Sequence, residues 1–129
     1  MTATTPQLLH DAFRDAFNAR DLDALVALYE PDAVLVAQPG QVASGLDQIR
    51  EALAGFLALN GPIEMTHLDT IQGADIAILY GRWTVAGTGP DGQPLTVGGV
   101  TSDVARRGDD GVWRFAADNP FADATIAAG

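Results

Sequence analysis

At Asn60-Gly61-Pro62 the hydrophobic period of the chain changes. Before this break, apolar residues recur at helical spacing; after it, they alternate as they do along strands. A chain with helices first and a run of strands last buries both by laying the helices on one face of an antiparallel sheet, an α+β arrangement.

In the helical half, Leu9, Phe13 and Phe17 recur at four-residue spacing, with Leu8, Ala12 and Ala16 beside them. This pattern predicts an amphipathic helix over residues 6–17, with His10, Asp11, Arg14 and Asp15 on its polar, solvated side. Asp21 is a candidate N-cap for a second helix through Leu22, Leu25, Val26, Leu28 and Tyr29, which Glu30-Pro31 stops. Residues 33–37 read as a short buried strand and "QPGQVASG" as a loop. A third helix carries Ile49, Leu53, Phe56 and Leu57, with Ser44 and Asp47 resembling a capping box at its start.

Four strands are expected beyond Pro62, at 63–72, 76–86, 93–107 and 112–119, separated by "GAD", "GTGPDG" and "GDDG". With 129 residues, the chain is expected to form one domain, 1–129.

Composition excludes several chemistries. There is no cysteine, hence no disulfide, thiolate nucleophile or thiolate metal site. All seven basic residues are arginines, so a Schiff-base lysine and a phosphate-binding P-loop lysine are ruled out. A formal charge of −10 repels nucleic acid and anionic membrane surfaces. The two histidines lie far apart in sequence without ligand spacing, so no metal site is expected. The N-terminus lacks the pattern of a secretory signal, and a cytoplasmic location is the expectation.

The element order, together with "NARDLDALVALYEPDAV", "SGLDQIREALAGF" and "RRGDDGVWRFAADNPF", resembles the NTF2-like superfamily, and within it the SnoaL-like and ketosteroid-isomerase-like proteins. The resemblance covers nearly the whole chain. It implies a cone-shaped barrel in which three N-terminal helices pack on a curved, mainly antiparallel sheet around a deep pocket, usually in a homodimer. It does not imply one reaction, because isomerases, cyclases, dehydratases and noncatalytic assembly domains share the fold.

In ketosteroid isomerase an Asp base moves a proton beside a carbonyl, while a Tyr and a protonated Asp donate hydrogen bonds to the oxyanion. Carried onto this sequence, the tyrosine position falls on Phe13 and the base position on Ala37 or Gln38, leaving Asp103 as the one matching acid. That constellation is therefore not expected here.

Alternation in "VTSDVAR" sets Thr101, Asp103 and Ala105 on one strand face. A pocket-facing Asp103 would have a raised pKa and could act as acid or base; facing out, it would meet solvent or an arginine. Asp118 and Asn119 are adjacent and point to opposite sides of a strand, so one of them is a candidate ligand contact at the pocket; the alternative is a strand-ending Asp-Asn-Pro turn. His67 is a second candidate for proton transfer, the alternative being a packed or surface histidine without a catalytic part. Phe13, Phe17, Phe56 and Trp83 are candidate pocket lining, with Thr101 on the Asp103 face and Gln38 and Tyr29 as added polar contacts. The expectation is a pocket for a small apolar molecule such as a polyketide-, terpenoid- or steroid-like compound. Any catalysis would be acid/base chemistry without a cofactor, through Asp103 and His67. The alternative is a noncatalytic dimeric binding or assembly domain.

Overall fold

A computed structural model describes residues 2–128. Along the chain lie α1 (Leu8–Asn18), α2 (Leu22–Val26), β1 (Tyr29–Gln38), β2 (Gln41–Ser44), α3 (Leu46–Leu57), β3 (Ile63–Gln72), β4 (Ile76–Thr88), β5 (Pro94–Arg107), β6 (Trp113–Asn119) and α4 (Ala122–Ala128). The strands form one six-stranded sheet in the order β2-β1-β6-β5-β4-β3. The β1–β6 pair is parallel, and the other four are antiparallel. This is the α+β arrangement expected from the change of period, in the cone that the resemblance implied, with a fourth helix added at the C-terminus.

Topology follows from where the helices must go. β3 to β6 form a meander of hairpins, while β1 reaches the sheet beside β6. α3 then runs from the β2 edge to the β3 edge, packing on β1, and α1 packs on β3. Both helices thereby cover the concave face. Along β4 the alternation is strict: Ala77, Leu79, Gly81, Trp83 and Val85 are buried inward, whereas Ile76, Ile78, Arg82 and Thr84 are exposed. Fully buried Leu9, Phe17, Leu25, Ile49, Leu53 and Phe115 anchor the core, each contributing about 1.5–3 kcal/mol by leaving water.

Several local expectations are corrected. The second helix ends at Val26, and Tyr29 already begins β1, so Pro31 lies within a strand. The backbone of Tyr29 pairs beside Phe115 of β6, and this tertiary pairing overrides the helical pattern of the segment. The "QPGQVASG" loop is a hairpin whose return arm is β2. Ser44 does not cap α3. Gly45 occupies that position at φ +81°, and the Gln48 side chain accepts from the Ser44 N–H instead. Asp21 does cap α2, accepting from the Ala24 N–H at 3.0 Å.

Two bulges matter for the site. In β3, His67 pairs with Gly81 and Asp69 with Tyr80, leaving Leu68 as the extra residue. In β6, Ala117 pairs with Val104 and Phe115 with Ala105, leaving Ala116 extra. Each bulge shifts the alternation by one residue and bends its strand. Among the described residues, no helix is long and apolar enough to cross a membrane.

Candidate functional site

The shift at Ala116 sets Phe115 and Asp118 on the same inward face, although an unbroken strand would oppose them. Asp118 thus stands directly across the ladder from Asp103, and both carboxyls are buried, at 8% and 1% exposure. Asn119 points elsewhere: it accepts from the Phe121 N–H and donates to the Thr125 hydroxyl, bracing the turn into α4.

α1 contributes His10. The sequence pattern set it on the solvated side of the helix, but it is 1% exposed. Its burial has a specific cause across the sheet, where Gly81 of β4 leaves a slot for the ring. A Cβ at Gly81 would stand 2.9 Å from the His10 Cε1 and 3.2 Å from its Nδ1. Within this slot His10 Nε2 lies 2.8 Å from Asp103 Oδ2.

The remaining bonds extend this contact in both directions. Thr101 donates its hydroxyl to Asp103 Oδ1 at 2.6 Å and lies 3.4 Å from Asp118 Oδ1. The Tyr29 hydroxyl donates to Asp118 Oδ2 at 2.5 Å. On the other side, His10 Nδ1 is 2.9 Å from His67 Nδ1, and His67 Nε2 is 2.8 Å from the Thr70 hydroxyl. Among the described residues, every buried side-chain nitrogen and oxygen has a partner.

Burial governs the protonation of these groups. It raises Asp103 to about 6, partly offset by hydrogen bonds from its neighbours. Asp118 is pushed well above the carboxylate range, first by burial and then by the charge of Asp103. Burial likewise raises the Tyr29 hydroxyl, with the Asp118 charge adding to it. His10 is lowered by burial, against the pull of Asp118 and Asp11, and His67 is lowered by burial and by His10. Two like charges side by side in a low-dielectric site favour retention of one proton between them. These shifts favour the proton on Asp118 over Asp103, and the neutral form of His10.

These groups close one end of an apolar pocket. Its walls include Phe13, Phe17, Phe56, Met65, Trp83 and Phe115, and its lining also includes His10, Tyr29, Thr101, Asp103 and Asp118. The enclosed cavity is about 40 Å³, within a wider space of about 480 Å³ that includes open solvent. Much of it is a narrow crevice. Phe56, Trp83 and Phe121 pack in a cluster near Pro120, whose carbonyl accepts the Trp83 indole N–H at 2.7 Å.

Of the residues singled out from the sequence, Phe13, Phe17, Tyr29, Phe56, Trp83, Thr101, Asp103 and Asp118 line this pocket. His67 is exposed on β3 and reaches the site through His10. Gln38 is exposed in the β1–β2 hairpin, outside the lining. Asn119 is also outside it. Helical periodicity alone hid His10; its signal was Gly81, a side-chain-free position in an otherwise bulky inward series.

The fold has relatives among solved structures. A ketosteroid isomerase-like protein from Erwinia carotovora atroseptica superposes with a TM-score of 0.76 at 22% identity, over 88% of this chain and 90% of that one. A candidate dehydratase of the NTF2-like family from Streptomyces avermitilis gives 0.67 at 20% identity, over 89% and 96%. A candidate calcium/calmodulin-dependent protein kinase type II association domain from Thiobacillus denitrificans gives 0.73 at 22% identity, over 94% and 98%. No curated protein sequence matches the chain significantly. The SnoaL-like domain family, however, matches residues 10–117, a span that includes both the His10 slot and the Asp103 strand, and the chain belongs to that family.

Proposed function

We propose that the protein binds a small, largely apolar, uncharged compound of polyketide-, terpenoid- or steroid-like character and moves a proton on it without a cofactor. The observation that carries this reading is the buried Asp103–Asp118 pair, bonded to His10 and Tyr29, at the end of a pocket walled by aromatic rings. No arginine stands among the lining residues to receive an anionic ligand.

Asp103, ionised, takes a proton from a carbon beside a carbonyl. Asp118, protonated, donates to the carbonyl oxygen as charge develops there. Return of the Asp103 proton to a different carbon gives an isomer, and its transfer instead to a neighbouring hydroxyl, which leaves as water, gives a dehydrated product. His10 holds the Asp103 carboxylate in place through its Nε2–H.

A direct test is solvent-deuterium exchange of the α-protons of 2-tetralone, a neutral apolar cyclic ketone, followed by proton NMR. The expected result is exchange accelerated by the protein and reduced about 10²-fold or more in Asp103→Asn, which remains folded. Equal exchange with the variant would overturn the reading.

The narrowness of the crevice favours a second reading, in which the pocket is closed by its own side chains and the domain serves binding or assembly. Homodimerisation fits either reading, because Ile71, Ile76 and Ile78 are exposed on the outer face of the sheet. Light scattering at micromolar concentration separates dimer from monomer.

A further inference from the structure

We propose that His67 and His10 form a proton-exchange path from solvent to Asp103, with Thr70 setting the tautomer of the outer ring. The purpose of this path rests on the acid/base reading above, but its existence is tested without it.

The direction of every bond follows from one acceptor. An ionised Asp103 can only accept, so His10 donates its Nε2–H to Oδ2. His10 is neutral, so its Nδ1 carries a lone pair and accepts from His67 Nδ1–H. His67 Nε2 is then the remaining lone pair and accepts from the Thr70 hydroxyl. The result is an unbroken series of donors, Thr70 to His67 to His10 to Asp103, from an exposed ring to a carboxylate 1% exposed.

Two backbone features make this series possible. The bulge at Leu68 sets His67 and Thr70 on the same face of β3, three residues apart, where an unbroken strand would oppose them. Gly81, the ladder partner of His67, opens the slot in which the His10 ring meets it. The rings approach at 5.0 Å between centroids, tilted by 57°. Besides His10, the charged groups acting on His67 are Asp11 of α1 and Asp69 of β3, both of which favour its protonated form.

A proton arriving at His67 Nε2 releases the Nδ1 proton to His10 Nδ1, and His10 in turn releases its Nε2 proton to Asp103. Each ring gains one proton and loses one. Both rings end in the opposite tautomer, from which the outward transfer runs by the same steps reversed. Delivery of a solvent proton and removal of a substrate-derived proton thus alternate, and neither ring has to turn over.

The test is NMR of the whole protein labelled with nitrogen-15 in histidine, reading solvent exchange of the His10 Nε2–H. His67→Gln keeps a donor to His10 Nδ1 but cannot relay. The expected result is exchange slowed about tenfold or more with the His10 Nε2–H chemical shift retained. In His67→Ala, exchange is expected to be equally slow and restored by added imidazole in proportion to its concentration. Exchange at the wild-type rate in His67→Gln, or no response of His67→Ala to imidazole, would overturn the proposal. No substrate enters this experiment. A working path beside unchanged 2-tetralone exchange in Asp103→Asn would therefore retain the path and remove the enzymatic reading.

Discussion

Asp103 and Asp118 face each other across the β5–β6 ladder: beyond burial, Asp103 pushes Asp118 further up, whereas the hydrogen bond from Asp118 favours the ionised form of Asp103. Folded Asp103 keeps its proton up to about 6, against 3.8 for a free carboxyl. The folded state therefore holds the extra proton between these values, and its stability declines as pH rises through them. Asp103→Asn removes this titration. Relative to wild type, the variant should gain on the order of 3 kcal/mol between about pH 4 and 7. Histidine contributions have the opposite sense, being lost as pH falls; His10 and Asp118, which adjoin Asp103, add their own change to the difference, that of Asp118 in the same direction because its raised pKa falls when the Asp103 charge is removed. Urea denaturation across this range checks it, and parallel stability curves would contradict it.

His10→Phe fills the Gly81 slot with a ring of similar outline but leaves Asp103 Oδ2 without its donor. The expected cost is about 2 kcal/mol at neutral pH. Because the lost bond stabilised the ionised carboxyl, the cost should shrink below the Asp103 pKa of about 6. A loss of equal size at every pH would assign His10 to packing alone.

Gly81→Ala introduces a Cβ that meets the His10 ring at 2.9 Å and the Thr101 methyl at 3.2 Å. Both neighbours are buried and cannot swing aside freely. A destabilisation of about 1–3 kcal/mol is expected, together with displacement of the His10 ring signals in NMR spectra. Wild-type stability in this variant would show that the slot has slack.

Trp83→Phe removes the indole N–H that holds the carbonyl of Pro120, a lining residue of the pocket. The expected loss is about 1 kcal/mol, with faster proteolysis confined to the C-terminal segment that includes α4. Unchanged proteolysis there would mean that the aromatic cluster holds the segment without this bond.

The sequence made the α+β order legible because the period switches once, at Asn60-Gly61-Pro62, and the meander strands follow their alternation closely. Asp103 was legible for the same reason, with Thr101 and Ala105 sharing its inward face as alternation requires. What periodicity could not convey were the interruptions. Choosing between Asp118 and Asn119 required the bulge at Ala116, and pairing His67 with Thr70 required the bulge at Leu68. His10 was misread because its neighbours Asp11 and Arg14 are polar, and burial on that flank of α1 depends on a glycine 71 positions further along the chain. α4 carries an Ala-rich segment with little period of its own, docked by Trp83 and by Asp123, which accepts from the Val100 N–H.

The central claim is that the pocket floor holds one shared proton on two buried carboxyls at neutral pH. Carbon-13 NMR titration of the aspartate side-chain carboxyls tests it most directly. Two steps are expected for the Asp103–Asp118 pair, one near 6 and one well above the carboxylate range, the second moving down when Asp103 is replaced by Asn. Two independent titrations near the ordinary value of about 4, unaffected by the substitution, would contradict the account.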